Sequence, residues 1–186
     1  MTIVQFVANA NLAWFLLGEL VLRQGTQAKR WTAGSDDRGT TRMMLAAYIA
    51  AAIVLNLSWL RALPVPPWLA WVGLIVSLGG TALRLWSMLV LGRFYSRTLT
   101  VANDHNLVSE GPYALVRHPG YAGGLLIWVG GSLAIGYAAS TAVVALILIV
   151  VYTRRISVEE QMLARTLGQP YEAYRARTSR LIPGVW

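Results

Sequence analysis

The sequence predicts an all-α integral membrane protein with five transmembrane helices, the last two forming a helical hairpin, followed by a cytoplasmic C-terminal helical segment. Hydrophobic residues make up 56% of the 186 residues and charged residues only 13%, whereas a typical soluble domain has about 25% charged residues. The eight Trp and eight Tyr suit the aromatic belts of a membrane protein. The arginines lie at the ends of long apolar runs. The length indicates one domain, residues 1–186.

The N-terminal part, residues 1–91, is expected to cross the membrane three times, at residues 2–22, 43–60 and 68–91. A helix over the third run would be about 36 Å long, enough to cross a hydrocarbon core of about 30 Å with some tilt. No basic segment precedes the first run, so it is interpreted as a retained span rather than a cleaved signal peptide.

Two ionisable residues interrupt these runs. Glu19 lies near the end of the first, and we expect it to snorkel to the interface or to pair with a cation. Arg84 lies about two turns from the end of the third. For Arg84 we favour snorkelling over a role in a binding site.

Residues 121–153 form a long apolar run with a break at residues 136–140. A single helix over the whole run would be about 50 Å long, well beyond the membrane core, so a hairpin of two shorter helices is predicted. After Arg154 the chain is amphipathic, and its last helix is expected to continue until Gly168 and Pro170 end it. Several glycines predict close packing of the hairpin on its neighbours: Gly120, Gly123, Gly124, Gly130 and Gly131.

Lysine and arginine counts predict the topology. Five lie in residues 23–42, three in residues 92–120 and six after residue 153, against one in residues 61–67 and none in residues 136–140. The positive-inside rule then places the N-terminus outside and the polar C-terminal segments in the cytoplasm. The net charge of +8 could suggest nucleic acid, but this distribution is typical of membrane topology, and we expect no nucleic-acid partner.

A polar, turn-rich island from His105 to Tyr121 holds both histidines and precedes the hairpin. Such a concentration of polar groups beside a membrane segment usually marks a functional site. Nearby, Arg155 and Glu159 are four residues apart on one helix face, where they could form an ion pair or hold oppositely charged parts of two ligands. Two histidines and no cysteine make a poor metal site, so no metal is expected. There is no P-loop, Gly-x-Gly-x-x-Gly or nucleophile elbow. The residues alone indicate a small membrane enzyme with a cytoplasmic cofactor pocket.

Several short motifs follow one another in the C-terminal half: His105-x-Leu107-Val108, Gly111-Pro-Tyr113, Arg117-His118-Pro119-x-Tyr121-x-Gly123, Glu159-Glu160, Gly168-x-x-Tyr171-x-x-Tyr174 and Leu181-Ile-Pro183. In this order they resemble the isoprenylcysteine carboxyl methyltransferase family, in its compact prokaryotic form. Membrane phospholipid N-methyltransferases share the Arg-His-Pro-x-Tyr-x-Gly and Glu-Glu parts. Gly120 departs from the family pattern, in which a small hydroxylic residue is common there.

The resemblance implies a cofactor-binding, catalytic half at residues 92–186. S-adenosylmethionine, with S-adenosylhomocysteine as product, would lie between the hairpin and the C-terminal segment, and a lipophilic or prenylated acceptor would enter from the bilayer. Arg155 would bind the acceptor carboxylate and act in catalysis, and Arg117 would also bind substrate. For an amine acceptor, Glu160 or His118 would serve as base. The implied cofactor-binding residues are His105, Asn106, Leu107, Val108, Tyr113, His118, Pro119, Gly120, Tyr121 and Glu159.

Carboxyl O-methylation in a prokaryotic inner or plasma membrane is therefore the leading expectation, with the active site in the cytoplasm. N-methylation of a phospholipid or another amine is the first alternative. A sterol-reductase-like enzyme that uses NADPH would have a similar hairpin and pocket, with the tail arginines near a 2′-phosphate. A membrane scaffold with a vestigial pocket is the non-enzymatic alternative.

Overall fold

A computed structural model describes residues 1–21, 39–57, 60–92 and 107–184. Those ranges are mostly helical and contain no β-strand. In chain order the α-helices are α1 (Ile3–Val21), α2 (Thr40–Asn56), α3 (Pro67–Leu91), α4 (Pro119–Ile135), α5 (Ala138–Leu167) and α6 (Gln169–Arg177), with a 3-10 helix at Gly111–Ala114 before α4.

Proline and glycine set several of the helix ends. Each of α3, α4 and α6 has a proline in its first turn, where the missing N–H leaves no hydrogen bond unmade and the ring presets a helical φ. α4 ends at Gly136 with φ 106°, and α5 ends at Gly168 with φ 60°, a region that glycine adopts without strain. The predicted hairpin break and the predicted end of α5 are both confirmed.

Length and composition make two of the described helices, α3 and α5, long and apolar enough to cross a membrane. α2 and α4 are apolar but shorter. The all-helical fold is confirmed, while five spans and their orientation remain a prediction. In α5 the apolar part ends near residue 153, and the polar remainder carries site residues past the end of the apolar run.

Helices α3 and α4 pack with their backbones in direct contact. A Cβ added to Gly80 would lie 2.7 Å from the Gly123 oxygen, and one added to Gly130 would lie 2.6 Å from the Ser77 nitrogen. These distances are too short for any side chain, so the contact depends on glycine. The predicted close packing of the hairpin glycines is confirmed at Gly123 and Gly130.

An aromatic cluster joins the remaining helices behind this contact. Tyr48 of α2 stacks on Trp128 of α4, with 5.8 Å between the ring centroids, and Phe15 of α1 contacts both rings edge-on. The Tyr48 hydroxyl lies 2.9 Å from that of Tyr152 on α5. The cluster is buried, so it fixes α1, α2, α4 and α5 relative to one another.

Arg84 points into the bundle, so the prediction that it snorkels is wrong. Its guanidinium forms an ion pair with Glu19 of α1 and lies 4.9 Å above the Phe15 ring. Its Nη1 also donates to the Gly120 carbonyl of α4 at 2.8 Å. For Glu19, the expectation that it pairs with a cation is confirmed. An arginine inside an apolar bundle requires such partners, and this one ties α1 and α3 to the first turn of α4.

We expect Gly80→Ala to destabilise the protein and the neighbouring Gly79→Ala to leave it unchanged or slightly more stable. The Gly80 methyl would meet the α4 backbone, and such overpacking typically costs about 1–3 kcal/mol. The Gly79 methyl would enter open space, so it reports helix propensity alone. Thermal unfolding in detergent measures the difference. Equal midpoints for the two variants would contradict the close α3–α4 contact.

Candidate active site

The polar island and the C-terminal tail pair with each other along their backbones. The Arg117 amide donates to the Ser179 carbonyl at 2.8 Å, and the His118 amide donates to the Arg180 carbonyl at 3.1 Å. A parallel bridge joins Val116 to Ser179. The sequence predicted that these two segments are neighbours, and the structure confirms it.

Glu160 holds both segments on the polar end of α5. Its Oε1 accepts a hydrogen bond from Nε of Arg117 in the island at 2.9 Å. Its Oε2 accepts one from Nε of Arg180 in the tail at 3.0 Å and also lies 2.8 Å from Nη2 of the same residue. His118 Nε2 lies 3.4 Å from Oε1. Burial by itself raises the pKa of this carboxyl, but the hydrogen bonds and charges of His118 and Arg117 outweigh burial and lower the pKa to about 2. A carboxylate with so low a pKa is a weak base, so the geometry favours an anchoring role.

Arg117 is engaged by the protein itself. Besides Glu160, its Nη1 donates to the carbonyls of Arg175, at 3.1 Å, and Thr178. Its side chain is mostly buried. These contacts fix the end of α6 and the start of the tail, so the predicted substrate-binding residue has structural partners in this arrangement.

The hydroxyl of Tyr121 links the two charged residues that the sequence placed on one face of α5. It donates to Glu159 Oε2 at 2.6 Å and lies 3.0 Å from Arg155 Nε, which donates to it. Glu159 is partly exposed, whereas Arg155 is only 1% exposed. The structure thus brings a buried cation and a more accessible anion to the hydroxyl of one phenol.

Arg155 reaches across to the first turn of α2. Its Nη1 donates to Thr40 Oγ1 at 2.7 Å and to Thr41 Oγ1 at 3.1 Å. Sequence reasoning missed both threonines, because nothing in a single sequence shows which distant helix end a buried arginine meets. It also missed Arg180 as a partner of Glu160. The excess of arginines in the tail near the Glu159-Glu160 pair was the available signal.

His118 lies between the two glutamates at the start of α4. Its Nδ1 is 4.0 Å from Glu159 Oε1, its ring centroid is 5.7 Å from that of Tyr121, and the residue is 5% exposed. Its carbonyl accepts hydrogen bonds from the amides of Tyr121 and Ala122, both at 3.1 Å. His118 therefore belongs to the same cluster as Tyr121 and Glu159.

The remaining predicted cofactor residues belong to the island before α4 and to the first turn of α4. The Tyr113 hydroxyl donates to the Ser87 carbonyl at 3.4 Å, and its own carbonyl accepts from the Tyr174 hydroxyl at 2.7 Å. Burial raises the pKa of Tyr174 to about 12, so this donor stays protonated. Pro119 is buried, whereas Leu107, Val108 and Gly120 are partly exposed. His105 and Asn106 lie outside the described residues.

The sequence profile of the isoprenylcysteine carboxyl methyltransferase (ICMT) family matches residues 71–165, half of the chain. A probable protein-S-isoprenylcysteine O-methyltransferase of Oryza sativa subsp. indica is 27% identical over 184 residues, which cover 93% of this chain and 96% of that protein. The protein-S-isoprenylcysteine O-methyltransferase of Schizosaccharomyces pombe is 35% identical over 106 residues, covering 56% of this chain and 45% of that protein.

The fold is also similar to a solved structure, the eukaryotic intramembrane Ras methyltransferase ICMT. The TM-score is 0.63 at 25% identity, over 92% of this chain and 61% of that one. The fold and the matches define the class as an integral-membrane methyltransferase. Within that class, the chain belongs to the isoprenylcysteine carboxyl methyltransferase family.

We expect Glu160→Gln to lower the unfolding temperature at neutral pH. The unfolding temperature of the variant should also fall less as the pH is lowered. The pKa of Glu160 is depressed by folding, so its contribution is fully present above about pH 4.5 and is lost as the pH falls towards about 2. The unaltered protein should therefore lose stability over this range more steeply than the variant. Unfolding midpoints in detergent from pH 7 to pH 3 measure this, with the exposed Glu172→Gln as the control. The same acid dependence in the unaltered protein and in Glu160→Gln would contradict the anchoring role.

Proposed function

We propose that this chain transfers the methyl group of S-adenosylmethionine to the carboxylate of a lipophilic, S-prenylated cysteine. The observation that carries the proposal is the Tyr121 hydroxyl, which joins Arg155 to Glu159. Through that one group, a cation suited to the acceptor carboxylate and an anion suited to the positively charged cofactor are held side by side.

The residues around Glu159 fit a cationic cofactor. Tyr121 engages Oε2, whereas Oε1 lies 4.0 Å from the nearest His118 nitrogen, and the side chain is 24% exposed. A carboxylate in this position can accept hydrogen bonds from an ammonium or a hydroxyl group and offsets positive charge. Tyr113, His118 and the first turn of α4 would complete the pocket, together with Leu107 and Val108. S-adenosylmethionine would supply an electrophilic methyl group on a sulfonium.

Arg155 suits a carboxylate acceptor. A guanidinium forms charge-assisted hydrogen bonds with a carboxylate and can so orient one of its oxygens for attack. Its burial excludes water, and the charges of a carboxylate and a sulfonium partly neutralise each other as the methyl group moves, which a desolvated site favours. Such a reaction needs alignment and no strong base.

Two observations weigh against the alternatives. An amine acceptor must lose a proton, and of the two candidate bases Glu160, with a pKa of about 2, is poorly suited to take it, which leaves only His118. For an NADPH-dependent enzyme, which would need cations for a 2′-phosphate, Arg180 of the tail is already bound to Glu160, and the Arg117-His118-Pro119-x-Tyr121-x-Gly123 motif resembles the methyltransferases instead. We therefore propose an anchoring role for Glu160 and Arg117 instead of direct roles in catalysis or substrate binding.

We further propose that the chain crosses the membrane five times, with its N-terminus outside and its site and C-terminus in the cytoplasm. The polar end of α5, α6 and the island lie together, and the positive-inside rule assigns basic segments to the cytoplasm. The acceptor would enter from the bilayer between the apolar helices. A prokaryotic host remains a proposal from the length and motifs, and the relatives named above are eukaryotic.

Calorimetric titration of the detergent-purified protein should show binding of S-adenosylmethionine and none of NADPH. Glu159→Gln should lower the affinity for S-adenosylmethionine at least about tenfold, since a hydrogen bond to a charged group is worth about 1.5–3 kcal/mol. Glu172→Gln removes an exposed carboxylate and should leave the affinity unchanged. Binding of NADPH, or equal affinities in both variants, would contradict the proposed cofactor site.

Arg155→Gln should lower kcat/KM for an N-acetyl-S-prenylcysteine about a hundredfold or more, because truncating a buried charged partner costs about 2–5 kcal/mol. The dissociation constant of S-adenosylmethionine should change little. The neighbouring Arg154 is exposed, so Arg154→Gln serves as the matched control. A folded Arg155→Gln variant with unchanged kcat/KM would exclude Arg155 from the acceptor site.

A further inference from the structure

The first turn of α2 holds the acceptor side of the site from a part of the chain that the family profile does not cover. Thr40 and Thr41 both accept from Nη1 of Arg155, at 2.7 and 3.1 Å, across 115 and 114 residues of sequence. Thr40 and Arg155 are each 1% exposed. The profile matches residues 71–165 only, so neither threonine belongs to the matched segment.

The guanidinium is thereby oriented from two sides. Its Nε donates to Tyr121 of α4, and its Nη1 donates to the α2 hydroxyls. Arginine has several rotatable bonds, and each fixed donor removes orientations that would not face a substrate. Two anchors on different helices define the plane of the guanidinium, and with it the direction from which a carboxylate can accept a hydrogen bond.

Hydroxyl partners also differ from carboxylate partners in what they do to the charge. Arg84 and Arg117 donate to glutamates, which neutralise them. A threonine hydroxyl accepts a hydrogen bond and carries no charge, so it directs the guanidinium without adding an anion of its own.

We propose that Thr40 and Thr41 are positioning residues that set the orientation of Arg155 for the acceptor carboxylate. This assignment rests on the proposed carboxyl methylation. It makes the start of α2 a part of the acceptor site, joined to the cofactor side through Arg155, Tyr121 and Glu159.

The test compares Thr40→Val, Thr41→Val and the double variant with the unaltered protein. Valine keeps the shape of threonine and removes the hydroxyl. We expect the KM for an N-acetyl-S-prenylcysteine to rise about tenfold or more, most in the double variant, with the S-adenosylmethionine dissociation constant within about twofold. Thr40→Ser keeps the hydroxyl, so its KM should equal that of the unaltered protein. Thr166→Val removes an exposed hydroxyl bonded within α5 and should change neither quantity.

The outcomes separate this assignment from the proposed function. Methylation by the unaltered protein with unchanged KM in folded valine variants would overturn the positioning role and leave the proposed function standing. Equal losses of acceptor and S-adenosylmethionine binding would show a merely structural role and overturn it as well. If the buried Thr40→Val variant does not fold, the test rests on the less buried position. The KM of Thr41→Val is then compared with that of Thr40→Ser, which keeps its hydroxyl. No methylation of any prenylcysteine by the unaltered protein would contradict the proposed function and this assignment with it.

Discussion

The buried carboxylate of Glu160 is the contact on which the rest of the site depends. It binds Arg117 from the polar island, Arg180 from the tail and, more weakly, His118 at the start of α4. Two separate stretches of chain, the island and the tail, therefore converge on one anion of α5, and a backbone bridge between Val116 and Ser179 accompanies that convergence. Removing one partner of a buried ion pair leaves the other charges uncompensated. The same contact holds His118 in place, and Tyr121 lies about one helical turn after it in α4.

The apolar helices support this polar site from the other side. Glycine-mediated contact brings the α3 and α4 backbones together, and Arg84 then reaches the Gly120 carbonyl in the first turn of α4. The Glu19–Arg84 pair keeps that arginine neutralised among apolar side chains. Since Tyr121 follows directly after Gly120, the packing of the bundle is coupled to the position of the phenol that joins Arg155 and Glu159.

The elements that could be predicted from the sequence are those with local signals. Helix ends follow Pro119, Gly136 and Gly168, because proline and glycine act on the backbone where they stand. The Arg155–Glu159 spacing predicted a shared helix face, although not the phenol between them. Directions of long side chains could not be predicted: Arg84 turns inward and Arg155 reaches Thr40, and both depend on helices distant in sequence. The motif resemblance indicated which residues form the site, but only the structure distinguishes the anchoring contacts of Arg117 and Glu160 from those of Arg155.

The account depends most on the claim that the methyl group is transferred to a carboxylate. Incubating membranes that contain the protein with S-adenosylmethionine labelled with tritium in the methyl group, together with an N-acetyl-S-prenylcysteine, tests this directly. Mild alkali hydrolyses a methyl ester to volatile methanol, whereas an N-methyl group resists it. The account predicts that the label leaves the lipid extract as volatile methanol after alkali treatment. Label that stays on endogenous lipid after the same treatment would contradict it and would indicate N-methylation.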